Sequence, residues 1–217
     1  MDAVALLVIA KEPLPGRAKT RLTPPCTPAQ AALLAEAALR DTIDAVEATA
    51  AARKILIFEG DANRYLRKTF EVIPQRGHGL AERLAAAFDD VGGPALLVGM
   101  DTPQLTAKLL TDAIQALAQP HIGAVLGPAL DGGYWCIGLK EPDRRAFEHV
   151  PMSEHSTGIR QRTRLRELGL RVHDQPMLRD IDTIEDAIAV AAAYPKTHFA
   201  TALKKAKLRP RGASKAA

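Results

Sequence analysis

Residues 95–99 form a short, almost wholly apolar run that ends close to a carboxylate, Asp101, with Pro103 two residues beyond it. A run of this length and composition suits a strand buried on both faces of a parallel sheet. Pro103 has no N–H to give to a ladder, so the strand stops and Asp101 is set at the carboxyl edge of the sheet. Open α/β sheets keep their ligands at that edge. A carboxylate there suits a hard divalent cation that holds a substrate phosphate. It suits equally a group that caps the helix beginning near Thr106 or orders the turn.

The rest of the chain repeats the pattern. Residues 4–9, 54–58, 71–74, 123–127 and 171–174 read as further strands. Helical segments separate them, the first opened by the capping box Thr27-Pro28-Ala29-Gln30 and running to about residue 52. Others are predicted through residue 90, over 107–118, over 159–168, and from about 183 to near 194. A single antiparallel strand is predicted at 134–139. The alternation gives an α/β fold, a mostly parallel central sheet flanked by helices. The length of 217 residues fits one domain.

The formal net charge of +4 is misleading. Lys204, Lys205, Lys207, Arg209, Arg211 and Lys215 are unopposed by any acid, so the body is slightly acidic. The domain is therefore predicted over 1–203, with 204–217 a basic, flexible C-terminal tail, and nucleic acid is not an expected partner. No apolar run approaches a membrane span and no signal-peptide pattern opens the chain, which predicts a cytoplasmic protein. Cys26 and Cys136 have neither a disulfide framework nor metal-ligand spacing.

The loop after the first strand carries Lys11, Arg17, Lys19 and Arg21, stiffened by Pro13, Pro15 and Gly16 and opposed only by Glu12. Cations leaving the end of a buried strand suit a phosphate clamp, with Arg giving bidentate contacts and Lys a point charge. The alternative is a solvated basic loop. It is not a Walker loop, since the glycine spacing and terminal Gly-Lys-Ser/Thr are missing. Gly77 and Gly79 precede a helix and allow close backbone approach to an anion at the helix start. Arg83, one turn in, serves the site or the surface, and His78 reads as an exposed loop histidine.

Asp131-Gly132-Gly133-Tyr134-Trp135 reads as a hairpin turn, or as a pocket wall for a ring or sugar, with core packing the rival role for Trp135. His155 sits in a polar loop where it contacts an acceptor substrate or simply faces solvent. Late in the chain, Asp182 and Glu185 have capping-box spacing. Alternatively, Asp180 or Asp182 is a second metal ligand opposite Asp101.

Five stretches together carry a resemblance: Lys11-x-Pro-x-Pro-Gly-x-x-Lys-Thr-Arg-Leu22, Gln75-x-Gly-x-Gly-Leu-x-Glu-Arg83, Val98-Gly-x-Asp-Thr-Pro-x-Leu105, Leu126-Gly-Pro-Ala-x-Asp-Gly-Gly-Tyr134 and Asp180-Ile-Asp-Thr-x-Glu-Asp186. In this order they resemble a GT-A-type glycosyltransferase family linked to arsenosugar biosynthesis. That family is related to 2-phospho-lactate guanylyltransferases and other nucleotide-diphospho-sugar transferases. The resemblance implies a single Rossmann-like GT-A domain with a divalent cation, Mg2+ or Mn2+, at Asp101 and Asp182. It implies phosphate contacts by Lys19 and Arg21, to which the loops themselves add Lys11, Gly16, Arg17, Gly79 and Arg83 as nucleotide- or phosphate-binding residues. It implies an acceptor loop at Asp131, Gly132 and Gly133, to which the residues themselves add Tyr134 and His155. The expected catalytic groups are Asp101, Lys19 and Asp131. Three departures stand out. The two-aspartate metal motif of ordinary GT-A glycosyltransferases is absent, since Met100 and Thr102 flank the single Asp101. His155-Ser-Thr157 replaces the family's Trp-Ser-Thr, and the loop at Gly77–Arg83 is altered.

The implied activity is a metal-dependent glycosyl transfer from a sugar nucleotide to a small-molecule acceptor. The alternatives are nucleotidylyl transfer from a nucleoside triphosphate to a phosphorylated acceptor, and nucleotide binding without catalysis.

Overall fold

A computed structural model describes residues 4–206. In chain order it contains β1 (Ala5–Lys11), α1 (Pro28–Glu47), β2 (Lys54–Glu59), β3 (Phe70–Pro74), α2 (Gly79–Val91), β4 (Ala95–Val98) and α3 (Ala107–Ala118). Then follow β5 (Ala124–Pro128), β6 (Tyr134–Leu139), α4 (Thr157–Glu167), β7 (Val172–Asp174), α5 (Ile184–Ala193) and α6 (His198–Ala206). The strands form one seven-stranded sheet in the order β3-β2-β1-β4-β6-β5-β7. Only β6 runs antiparallel, pairing Leu96 with Gly138 on one side and Val125 with Gly138 on the other. The fold class and the single antiparallel strand are as the sequence predicts.

Period-two alternation sorts the strand residues onto two faces. Leu6, Val8, Leu56, Leu96 and Val98 pack against α1 and α3 through Leu39, Ile43, Leu110 and Leu117. Leu7, Ile55, Ile57, Leu97 and Ile137 pack against α2 and α4 through Leu84, Phe88 and Leu165. A third cluster lies beyond α1, where Leu34 and Ala38 meet Val190 and Phe199. Helix α1 is thus buried on two sides, which is why Ala and Leu dominate it. It ends at Glu47, short of the expected residue 52.

Helix α6 is an element that the sequence does not predict. Thr197 Oγ1 caps it locally, accepting the Ala200 N–H at 3.0 Å, and its first two amides donate to a distant carboxylate: His198 N–H to Asp41 Oδ1 at 2.8 Å and Phe199 N–H to Asp41 Oδ2 at 2.8 Å. The helix continues through Lys204 and Lys205 to Ala206, past the predicted boundary at 203. The remaining basic residues of the predicted tail lie outside the described residues. Among the described residues no helix is long and apolar enough to cross a membrane.

Asp41→Ala removes the carboxylate that receives both α6 amides. The expected loss is about 1–2 kcal/mol of unfolding free energy in urea titration, with ligand binding unchanged, because Asp41 is remote from the cleft described below. An unchanged midpoint would contradict the capping role.

Candidate active site

A cleft of about 880 Å³ opens along the carboxyl edge of the sheet. That is the place where open α/β sheets bind ligands, and the volume lies in the range of small-molecule sites.

Its centre is built from four loops. The loop after β1 is anchored at Ala18 and Leu22, both buried. Between these anchors Lys19 adopts the left-handed conformation, φ 49° and ψ 42°. A non-glycine residue held there stores about 1–3 kcal/mol of strain. The turn sends the Lys19 side chain inward, where only 8% of it remains exposed. Its ammonium lies 2.9 Å from Asp101 Oδ1 and 3.7 Å from Asp182 Oδ1, and it donates to the Ile181 carbonyl. Arg17 and Arg21 stay exposed at the rim, Arg21 bonding Asp182 Oδ2 at 2.5 Å. Lys11 and Arg17 have no ion-pair partner among the described residues. Glu12 does not neutralise them; it accepts the Asp61 N–H at 3.2 Å.

The second loop carries Asp101, directly after β4. Its backbone carbonyl accepts the Ile181 N–H at 3.1 Å, so it is tied to the third loop, 179–182. In that loop Ile181 is wholly buried in the third cluster, while Asp180 and Asp182 on either side line the cleft. The fourth loop brings Asp131. One oxygen from each of Asp131, Asp180 and Asp182 falls within 4.8 Å of the others.

The convergence has an electrostatic cost. Burial pushes the Asp180 carboxyl up to about 6, the charges of Asp131 and Asp182 push it the same way, and Lys19 pulls against them. Three hard oxygen donors that repel one another match a small divalent cation. Asp101 belongs to the same centre, but it reaches Asp182 through the Lys19 ammonium.

The capping box of α5 is one residue later than Asp182 and Glu185 suggested. Thr183 Oγ1 accepts the Asp186 N–H at 3.2 Å, and Asp186 Oδ2 accepts the Thr183 N–H at 2.9 Å. The burial of Ile181 sets that register, and it leaves Asp182 to the cleft.

At the far end of the cleft Tyr134 donates to Gln161 Oε1 at 3.2 Å. His155 Nδ1 lies 2.6 Å from the Asp131 carbonyl. Gly158 N–H bonds the Gly132 carbonyl at 2.7 Å, and a Cβ on Gly132 would fall 2.0 Å from the His155 carbonyl oxygen. Gly132 therefore locks the two loops together and does not line the cleft. Trp135 is buried, with its Nε1–H bonded to the Pro176 carbonyl at 2.9 Å, and is a core residue.

At the β2 end, Arg83 donates to Glu59 and, at 3.2 Å, to Gln75 Oε1, beside Gly79 and the exposed Leu80. Gly16 lies outside the cleft, in a small pocket with Ala18 and Pro28. Glu59 is not among the residues the sequence predicts for the site, although it bears the same signal as Asp101, a charged residue at the carboxyl end of a buried strand.

The fold is that of a nucleotide-diphospho-sugar transferase-like protein. The chain belongs to the DUF2064 family, described as an uncharacterized protein conserved in bacteria, whose model matches residues 36–154, more than half of its length. It is similar to the crystal structure of a candidate nucleotide-diphospho-sugar transferase from Desulfovibrio desulfuricans G20, with 25% identity, a TM-score of 0.82, and coverage of 93% of this chain and 94% of that one. CMP:2-keto-3-deoxy-manno-octonic acid synthetase complexed with CTP shares the fold at 11% identity and TM-score 0.58, covering 89% and 99% of the two chains. So does Rv0371C of Mycobacterium tuberculosis H37Rv complexed with manganese, at 18% identity and TM-score 0.50, covering 87% and 97%. No curated protein matches the sequence.

The raised Asp180 carboxyl gives a signed pH dependence. The folded protein keeps that proton up to about pH 6, whereas an unfolded chain releases it near 3.8. Without metal, this group's contribution to stability therefore falls as pH rises from about 4 to about 6, and the loss is complete above that. Asp180→Asn is expected to melt higher than the wild type at neutral pH without metal, and to match it in acid. A lower melting temperature at neutral pH would refute the cost of holding this carboxylate buried beside two others.

Proposed function

We propose that this protein is a transferase that uses a nucleotide donor and a divalent cation, Mg2+ or Mn2+, acting in the cytoplasm. The observation that carries the reading is the inward-facing Lys19 ammonium among Asp101 and Asp182, beside the three converging carboxylates.

Asp131, Asp180 and Asp182 are the residues whose donor set fits the cation, with Asp101 adjoining. When bound, such an ion neutralises charge on the donor phosphates and on the leaving group. Lys19 adds fixed positive charge at the same place, and Arg17, Arg21 and Lys11 extend it along the rim. Preorganised charge of this kind stabilises a developing anion without reorganisation during reaction. The apolar floor at Ile9 and Leu84, with Leu80 above and the Glu59–Arg83 pair at the edge, suits the flat base of the donor. Asp131, Tyr134 and His155 suit a hydroxyl-bearing acceptor at the opposite end.

Glycosyl transfer is the first reading, supported by the likeness to the Desulfovibrio protein over nearly the whole chain. The second reading is nucleotidylyl transfer. The rim cations favour it, since Lys11 and Arg17 lack ion-pair partners among the described residues and a triphosphate needs more neutralisation.

Lys19→Met tests the shared core. Turnover, read at a temperature where both proteins are folded, is expected to drop by about two to three orders of magnitude. The melting temperature of the ligand-free protein is expected to fall as well, because the carboxylates lose their counter-charge. Free nucleoside diphosphate among the wild-type products identifies glycosyl transfer, and pyrophosphate identifies nucleotidylyl transfer. Full turnover in the variant would sink the mechanism.

A further inference from the structure

Loop 179–182 supplies two of the three converging carboxylates, yet it belongs to no helix or strand. What fixes it is a succession of single contacts. Leu178 forms a bridge to Ala129 before it. Ile181 N–H bonds the Asp101 carbonyl, and the Ile181 carbonyl accepts from Lys19. Thr183 closes the segment as the cap of α5. Arg21 and Lys19 hold the Asp182 carboxylate, and a further contact falls on the residue before Asp180: the Arg179 carbonyl accepts a hydrogen bond from the Gln104 side-chain amide.

Gln104 is an unusual residue for that task. It is only 3% exposed, in the loop that follows Asp101, between the buried Pro103 and Leu105. Its Nε2 is committed to Arg179, and its Oε1 is buried with no hydrogen-bond partner among the described residues. The reverse orientation would set Oε1 against the Arg179 carbonyl oxygen, so the amide is fixed as it stands. A buried acceptor without a donor costs about 1–3 kcal/mol. An apolar side chain of similar shape would avoid that cost. The Arg179 side chain points elsewhere, donating to Asp186 at 2.7 Å, and does not hold its own carbonyl.

We infer that Gln104 is a positioning residue for the cation and donor site: its amide holds the peptide preceding Asp180, so that Asp180 stays turned toward Asp131 and Asp182. The inference rests on the proposed metal-dependent reading. It adds a residue that touches neither phosphate nor acceptor and acts through the backbone of the segment that does. Groups supporting the ligands of a metal in this way typically change its affinity by about 10–100-fold when removed.

Gln104→Met is the test, because it removes the donor and the orphan acceptor together and keeps the volume. Mn2+ affinity of the nucleotide-free protein is measured by electron paramagnetic resonance titration, alongside the melting temperature without metal. The expected result is Mn2+ binding weakened by about 10–100-fold, with a melting temperature unchanged or higher. Gln104→Glu, which sets a carboxylate against the same carbonyl, should weaken Mn2+ binding as well and lower the melting temperature. Wild-type Mn2+ affinity in Gln104→Met would overturn the inference, as would an affinity loss accompanied by a matching loss of stability, which is what a purely structural residue would show. A wild-type protein that binds no Mn2+ would instead overturn the metal-dependent reading on which the inference stands.

Discussion

One ammonium group ties the site together. Lys19 arrives from the loop after β1, meets Asp101 from the loop after β4, and reaches Asp182 and the Ile181 carbonyl from the segment before α5. These three pieces are far apart in sequence and share no secondary structure. With 8% of its side chain exposed, the lysine is screened little by solvent, so its contacts are strong and costly to break. The backbone concedes something for this, since Lys19 sits in a left-handed conformation that only a packed surround sustains. That surround is Ala18 and Leu22, whose burial against α1 and its neighbours turns the loop inward.

Helix α1 is what makes the surround possible. It presents one face to the sheet and the other to α5, α6 and Leu22, so the basic loop after β1 and the carboxylate-bearing segment are both moored to the same helix. The active-site cations and anions are therefore positioned by apolar packing several residues away from them. Charge supplies the chemistry, and the Ala/Leu helix supplies the geometry.

What could be read in the sequence was local. The β4 run ending near Asp101 and Pro103, the Thr27–Gln30 box and the antiparallel strand at Tyr134 are each written in contiguous residues, and they stand where expected. What could not be read depends on contacts between distant segments. Lys11, Arg17, Lys19 and Arg21 look alike in the loop, and only the apolar flanks Ala18 and Leu22 hint that Lys19 alone turns in. Asp182–Glu185 and Thr183–Asp186 have the same capping spacing, and the choice between them is made by Ile181 entering a core that α1 creates. Helix α6 takes two amide bonds from Asp41, more than a hundred and fifty positions earlier, and only the lone Thr197 hydroxyl marks its start locally. Gln104 is one polar residue after a proline, and nothing nearby marks its partner.

The site also shows why such a centre is not optimised for stability. Three carboxylates are gathered in a half-buried place, and the rise of Asp180 to about 6 reflects first its burial and then repulsion by Asp131 and Asp182. A chain selected only to fold would have replaced one of them, or filled the position of Gln104 with an apolar side chain. Keeping both is sensible if the repulsion is relieved by a bound cation, because the free energy withheld from the empty fold is returned on binding. The same arrangement sets a direction for the ligand. Positive charge at Lys19 and along the rim lies beside the negative cluster, so a donor carrying anionic phosphates and a hard cation fits both at once, whereas either component alone satisfies only half of the site.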